Sequence, residues 1–477
     1  PNIEDFLASD LRLICNDTDL SVCKSQYKAD ALNSIESVTL NDGSTMWYQL
    51  DRSYLVPRLV VSLILHSPDA VDSIENYAQF MIFCAMIQDI PGIYLSDFAA
   101  GDFQTTFGCS RGHAYMFVEG FSDKMDEAIG ILAQALEAFG QVAEDSFSSY
   151  QMSAAYSASG ENIDPEYRVR DLRDQILTQN YYGGAELANA IDDVTQSQWM
   201  KKYGGTKKFF YEGLVIGNVL QEAATEYLES LITAFDLELA DKSDIPEDPS
   251  RLLNGTYAVY REWNKNSDSN DNEIYNYYQT GPRTHKTEAF LLMLKNQFRN
   301  EAFDELRNMR QLGYVANGDF FPSKDVIGFF VEIEGPVKNP QDLDEEIENF
   351  IHAFYNYLQN LSDESFQNIK EAFLSMLTVP PITLYDKASI YLTHLLQMTY
   401  DFDHSSKLAK VAENFTKEDT IQFYNDTMHD HPNKISLQIW KYEEGATLSS
   451  KGLRANETFS HKKETVFDDI DELIASL

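Results

Sequence analysis

The feature that most limits what this chain can fold into is an internal repeat: its second half restates its first. Leu59-Val-Val-Ser-Leu-Ile-Leu-His-Ser-Pro68 is an extended apolar run stopped by proline. Ile274-Tyr-Asn-Tyr-Tyr-Gln-Thr-Gly-Pro282 answers it 214 positions later. A helical pattern follows each, Ile74 to Ile87 and Thr287 to Phe298, apolar on more than one face and so expected to be buried. Next come strands ending in Glu-Gly, Ala114 to Gly120 and Gly328 to Gly335, and amphipathic helices, Lys124 to Phe139 and Leu343 to Leu358. Val194 to Tyr203 matches Phe415 to Tyr424, with Thr195 and Thr416 placed as N-caps. Lys208 to Ile216 and Lys434 to Trp440 close the two units as strands. The order of elements predicts an α+β fold: two homologous domains, each an α/β sandwich with a largely antiparallel sheet and helices packed on one face. Alternation in Phe329-Phe-Val-Glu-Ile-Glu334 reads as a strand with one wet face. The domains are expected at 1–240 and 257–477, with a linker over 241–256 whose Asp241 to Ser250 stretch is rich in Asp, Pro and Ser.

Composition excludes several functions for a duplicated domain of this kind. With 37 basic and 76 acidic residues the formal net charge is −39, which offers no footprint for nucleic acid and no polybasic segment for anionic lipid. Disorder is excluded by 43% apolar and 13% aromatic content. No run reaches the ~18 apolar residues that span a bilayer. The longest, Tyr54 to Leu65, is broken by Arg58 and reads as a buried strand. Cys15, Cys23, Cys84 and Cys109 are too few for a disulfide scaffold and are expected to be reduced, although Cys15 and Cys23 could pair. The sequence starts at Pro1 and shows no targeting segment, so it reads as an excised piece expected in the cytoplasm.

Motifs for chemistry are scarce. None of the nine histidines lies in His-x-x-Glu-His or its inverse. His429-Asp-His431 is a close pair in a polar loop with no third ligand nearby. The acidic stretches Asp342 to Glu348 and Asp468 to Glu472 lack calcium-loop spacing and read as solvated helix faces. One segment stands apart: Phe303-Asp-Glu-Leu-Arg307-Asn-Met-Arg310-Gln-Leu-Gly313-Tyr314-Val315. Phe303, Leu306 and Met309 fit one apolar side of a helix that Gly313 ends through a left-handed cap, and Tyr314 opens a strand. Arg307 and Tyr314 could then converge on a peptide carbonyl or an oxyanion as hydrogen-bond donors. On the residues alone the plainer reading is that Arg307 caps the helix C-terminus while Tyr314 fills a core edge.

That segment resembles the signature in the C-terminal half of the insulinase- and pitrilysin-type inverzincins, a family of zinc metalloendopeptidases. Tyr278-Gln-Thr280, Ser365-Phe-Gln367, Tyr400-Asp-Phe402-Asp and Phe415 to Tyr424 fit the same family in the same order, as do Met46-Trp-Tyr48 and Tyr115 to Asp123 in the first repeat. The resemblance covers essentially the whole chain. It implies the third and fourth of four homologous domains, a half that closes over an N-terminal half and forms a chamber around a peptide. Zinc is then bound by the N-terminal half, and no metal by this chain. Arg307 and Tyr314 contact the substrate main chain and help stabilise the tetrahedral intermediate. Arg310 stands where the family often has Glu, and is expected to point away from Arg307. Expected partners are the N-terminal half and peptide substrates, with a homodimer left open, and neither nucleic acid nor membrane. The competing expectation is a catalytically inactive structural or assembly subunit of the same superfamily.

Overall fold

The computed structural model describes residues 8–14, 35–90, 99–159, 165–247, 249–430, 433–448 and 465–477. Cys15, Cys23 and His431 lie outside them. The described residues cluster into two compact units. Unit 1 draws on Pro1–Ser159, Tyr182–Glu247 and Pro381–Phe402; unit 2 draws on Gly160–Tyr181, Asp248–Pro380 and Asp403–Leu477. Among the described residues no helix is long and apolar enough to cross a membrane.

In chain order the first repeat runs β1 (Glu36–Thr39), β2 (Thr45–Leu50), β3 (Arg58–His66), α1 (Ile74–Asp89), β4 (Gln104–Ser110), β5 (His113–Phe121), α2 (Met125–Glu137), α3 (Phe139–Ser159), α4 (Pro165–Leu177), α5 (Gly184–Asp192), α6 (Gln196–Tyr203), β6 (Lys207–Gly217), α7 (Gln221–Ala234) and β7 (Leu237–Leu239). The second runs β8 (Tyr257–Trp263), β9 (Asn272–Pro282), α8 (His285–Ala302), a π-helical turn (Phe303–Met309), β10 (Val315–Pro322), β11 (Val326–Gly335), α9 (Pro340–Asn360), α10 (Asp363–Thr378), α11 (Leu384–Leu396), α12 (His404–Ala412), α13 (Lys417–Tyr424), a second π turn (Asn425–His429), β12 (Lys434–Trp440), β13 (Thr465–Phe467) and α14 (Ile470–Ser476). The sheets share one plan. In unit 1 the order β2-β6-β3-β5-β4 is parallel in its first pair and antiparallel in the rest; β8-β12-β9-β11-β10 repeats this in unit 2. Thr195 and Thr416 close capping boxes on α6 and α13, satisfying orphan N–H groups at the two corresponding helix starts.

β3 is buried along nearly its whole length because both of its faces are covered. Leu59, Val61, Leu63 and Leu65 join the core that includes α1, α2 and α7. Val60 and Ile64 pack with Leu384, Ala388 and Leu392 of α11. In unit 2 the main helical face carries α8 and α9, while α4 lies on the other face through Val169, Leu172 and Ile176 against Tyr275, Tyr277 and Leu437. So most helices lie on one face of each sheet, and the opposite face is partly covered by α11 in unit 1 and by α4 and α14 in unit 2. That explains the alternation in β11, which marks no wet face: Glu332 and Glu334 are buried, and Arg170 of α4 pairs with Glu332 at 3.2 Å.

Two further expectations change. The Asp342 to Glu348 stretch is not simply a solvated helix face. Asp344 and Glu348 point inward from α9 and hold the fully buried Lys434 at 2.6 and 2.5 Å, with Tyr257 Oη at 3.0 Å and Tyr278 donating to Glu348 at 2.9 Å. Buried carboxylates at this sheet–helix contact are tolerated because each has a partner. Cys84 and Cys109, expected to be reduced, form a disulfide with a Cα–Cα distance of 5.6 Å, because α1 packs on β4 and brings the end of the helix beside the strand.

Candidate functional site

The site is built where α8 gives way to β10. α8 does not stop at Ala302: the chain continues as a π turn, with Arg310 N–H bonded to Glu305 O at 3.0 Å, five residues back. Such turns take one more residue than an α turn and re-aim the side chains beyond them. Leu306 is the buried residue of the turn, while Phe303 and Met309 are 45% and 72% exposed, so the expected three-residue apolar side reduces to one. The left-handed residue is also not Gly313. Gln311 takes φ 54°, and Leu312 N–H then closes on Leu306 O at 3.0 Å. Gly313 is required for closeness instead: a Cβ there would lie 2.1 Å from Glu334 O.

This close approach fixes Tyr314. Its N–H bonds Glu334 O at 3.0 Å and its phenol donates to Glu334 Oε1 at 2.6 Å. Burial, together with the Glu334 and Asp271 carboxylates as acceptors, pushes the phenol pKa well up, so Tyr314 stays protonated and a donor. Half of its surface remains exposed. Arg307 lies with its guanidinium carbon 5.6 Å from the Phe303 ring centre and, among the described residues, makes no ion pair. Both side chains line one open cavity of about 490 Å³, with Arg299, Phe303 and Asp304 on the helical side and Val315 to Asn317 on the strand side. Arg310 is not part of it: Glu305 and Glu346 hold it, and Lys338 shares Glu346. His429 packs beside His352 and Tyr355, with ring centres 4.5 and 4.4 Å away. Arg299 and Glu334 were not singled out from the sequence. Only the π turn and the strand pairing bring them to the site, and neither leaves a local signal.

Fold and repeat together define a duplicated α+β region of the kind found in peptidase M16 proteins. A family model described as the middle or third domain of peptidase M16 matches residues 1–190, and one described as a PqqF-like C-terminal lobe, domain 4, matches residues 293–392. The A-factor-processing enzyme of Saccharomyces cerevisiae is 22% identical over 449 residues, covering 90% of this chain and 43% of the yeast enzyme. Insulin-degrading enzyme of Homo sapiens is 22% identical over 416 residues, 83% of this chain and 40% of its own length. Crystalline pitrilysin superposes with a TM-score of 0.78 at 18% identity, covering 100% of this chain and 48% of pitrilysin. A solved inactive peptidase M16 domain from Pseudomonas fluorescens gives 0.63 at 12% identity, covering 85% of this chain and 98% of that one. Residues 1–190 therefore match the third domain of peptidase M16, and the chain as a whole is similar to the C-terminal half of the insulinase- and pitrilysin-type enzymes. It spans less than half the length of the yeast and human relatives.

Proposed function

We propose that this chain is the C-terminal, non-zinc-binding half of an insulinase-like zinc metalloendopeptidase, with domains at 1–240 and 257–477 joined by 241–256. It closes over a catalytic N-terminal half, walls the chamber that holds a peptide, and presents Arg307 and Tyr314 to the substrate main chain. The observation that carries this reading is the shared cavity: an unpaired guanidinium and a protonated phenol, from either side of a helix-to-strand turn, line one open space. Such donors hold a peptide carbonyl and gain strength as it becomes an oxyanion. The sequence has no His-x-x-Glu-His, and in this reading the N-terminal half would hold the zinc, which would supply the activated water. In this chain Arg307 would orient the main chain, and Tyr314 would exchange its bond to Glu334 for one to the substrate.

The test is to assay peptide hydrolysis by the chain alone and after addition of the N-terminal half. Activity is expected only in the mixture. Arg307→Ala and Tyr314→Phe are each expected to lower kcat/KM about 10²-fold, as loss of one oxyanion donor does. Zinc-dependent hydrolysis by the chain alone, or two variants equal to wild type, overturns the reading. In that case the inactive structural subunit becomes the better account, a reading supported by the likeness to the inactive domain from Pseudomonas fluorescens.

A further inference from the structure

In so acidic a chain, arginines find carboxylates easily. Seven of the described arginines are ion-paired to Asp or Glu, and Arg251 donates to three backbone carbonyls. Arg299 and Arg307 have neither kind of partner among the described residues, and both line the same cavity. Their alignment has a cause. Arg299 sits in the last turn of α8, Phe303 opens the π turn, and Arg307 follows four residues on; the wider turn keeps all three beside one space. Asp304 also borders the cavity, but its Oδ1 accepts from Asn308 Nδ2 at 2.7 Å and it lies within ion-pair distance of neither guanidinium. The lining itself thus carries two guanidinium groups against one carboxylate, and the nearby Glu334 and Asp271 carboxylates are the acceptors of the Tyr314 phenol rather than partners of either arginine.

We propose that this cavity is a carboxylate-recognising subsite in which Arg299, with Arg307, selects peptides bearing an acidic group beside the main chain that Arg307 and Tyr314 hold. The inference rests on the proposed function and names the substrate class it leaves open. Guanidinium and carboxylate match in plane and spacing and form paired charge-assisted hydrogen bonds. The exposed Phe303 ring offers an apolar wall for the carbon atoms that carry the carboxylate. The acidic group has two sources, an Asp or Glu side chain or the peptide's own C-terminus. Non-specific attraction cannot imitate the effect, because the field of the whole chain repels anions.

Three fluorescein-labelled peptides, identical except for charge, decide it: Gln with a C-terminal amide, Glu with a C-terminal amide, and Gln with a free C-terminus. Binding to the whole chain is read by anisotropy. The Glu peptide, the free-acid peptide or both are expected to bind about tenfold more tightly than the neutral one, equivalent to about 1.4 kcal/mol, and the pattern identifies the source. Arg299→Gln is expected to remove the preference while leaving the neutral peptide within twofold, and Arg299→Lys to keep part of it. Arg299 is exposed on α8, so these variants should fold. Equal binding of all three peptides, or a preference that survives Arg299→Gln, overturns the subsite. Failure of the main-chain grip looks different: the neutral peptide's affinity is then unchanged by Arg307→Ala and Tyr314→Phe. A neutral peptide that does not bind at all removes both.

Discussion

α1 and α8 occupy the same place in the two copies, following the corresponding strands β3 and β9, yet they differ at both ends. Glu75 in the first turn of α1 is exposed. Glu288 in the first turn of α8 is buried and held by Arg283 at 2.8 and 3.0 Å and by His404 at 3.3 Å. The last turn of α1 carries no basic residue, whereas α8 carries Arg299 and runs into the π turn with Arg307. Their sheet-facing residues are equally apolar. Duplication has therefore kept what packs the core and left the helix ends free to diverge, which is where a site can be added to a fold.

The strands that close the copies sharpen this contrast, since both open on a buried lysine facing the main helical layer. Lys434 meets two carboxylates, whose charges outweigh the burial that would neutralise it and hold its pKa well above the usual value. Lys207 donates to the carbonyls of Gly205 and Phe235 and lies over the rings of Phe139 and Phe235, and burial, only partly offset by the Asp236 charge, pushes its pKa down to about 8. Lys434→Met leaves the buried Glu348 and the partly buried Asp344 without their cation and is expected to cost about 3–5 kcal/mol in urea unfolding. Lys207→Met leaves no such charge and should cost about 1 kcal/mol. Equal losses would break the comparison.

A smaller effect separates the helix starts. Burial raises the Glu288 carboxyl, but the His404 and Arg283 hydrogen bonds outweigh it and hold the pKa at about 2, against 4.5 for the free group. A depressed acid stabilises the fold above its unfolded value, and that contribution is lost as pH falls through the folded value. Glu288 is therefore expected to supply up to about 3 kcal/mol at pH 7, fading between about pH 5 and pH 2. Glu288→Gln should lower stability at neutral pH and flatten the acid limb, while Glu75→Gln should change neither by more than about 0.5 kcal/mol. An unaltered acid limb in Glu288→Gln would remove the pairing argument.

What could be read from the sequence was local. The apolar run of β3, the capping threonines and the order of elements follow from periodicity and cap chemistry, which act over a few residues. Arg307 and Tyr314 stood out for the same reason, with a helix, a stop and a strand lying in one short segment. The rest depended on partners distant in the chain. Asp344 and Glu348 look solvated until Lys434 arrives from β12, and Cys84 looks reduced until β4 brings Cys109. The helices α4 and α11 each pack in the unit built mainly from the other repeat, which no periodicity could announce. At the site itself, Gly313 was read as a left-handed cap because glycine often serves there. The real demand is steric and comes from β11.

That demand yields the finest distinction between the copies. Each carries a Glu-Gly at the end of the strand that pairs with β3 or β9. In unit 1 a Cβ on Gly120 would meet the Phe103 ring, a side chain that can turn. In unit 2 Gly335 faces the Cα of Gly313, and a Cβ on Gly313 would meet the backbone oxygen of Glu334, fixed in β11 by its pairing with β9. Gly313→Ala is expected to cost about 1–3 kcal/mol, because backbone has to move. It should also weaken the neutral peptide's binding, since the shift carries Tyr314 away from Glu334. Gly120→Ala should cost less if Phe103 turns aside, and should leave peptide binding unchanged, because it perturbs only unit 1. Intact peptide affinity in a destabilised Gly313→Ala would mean that the glycine serves the fold alone. The tight crossing would then have to be separated from the role assigned to Tyr314.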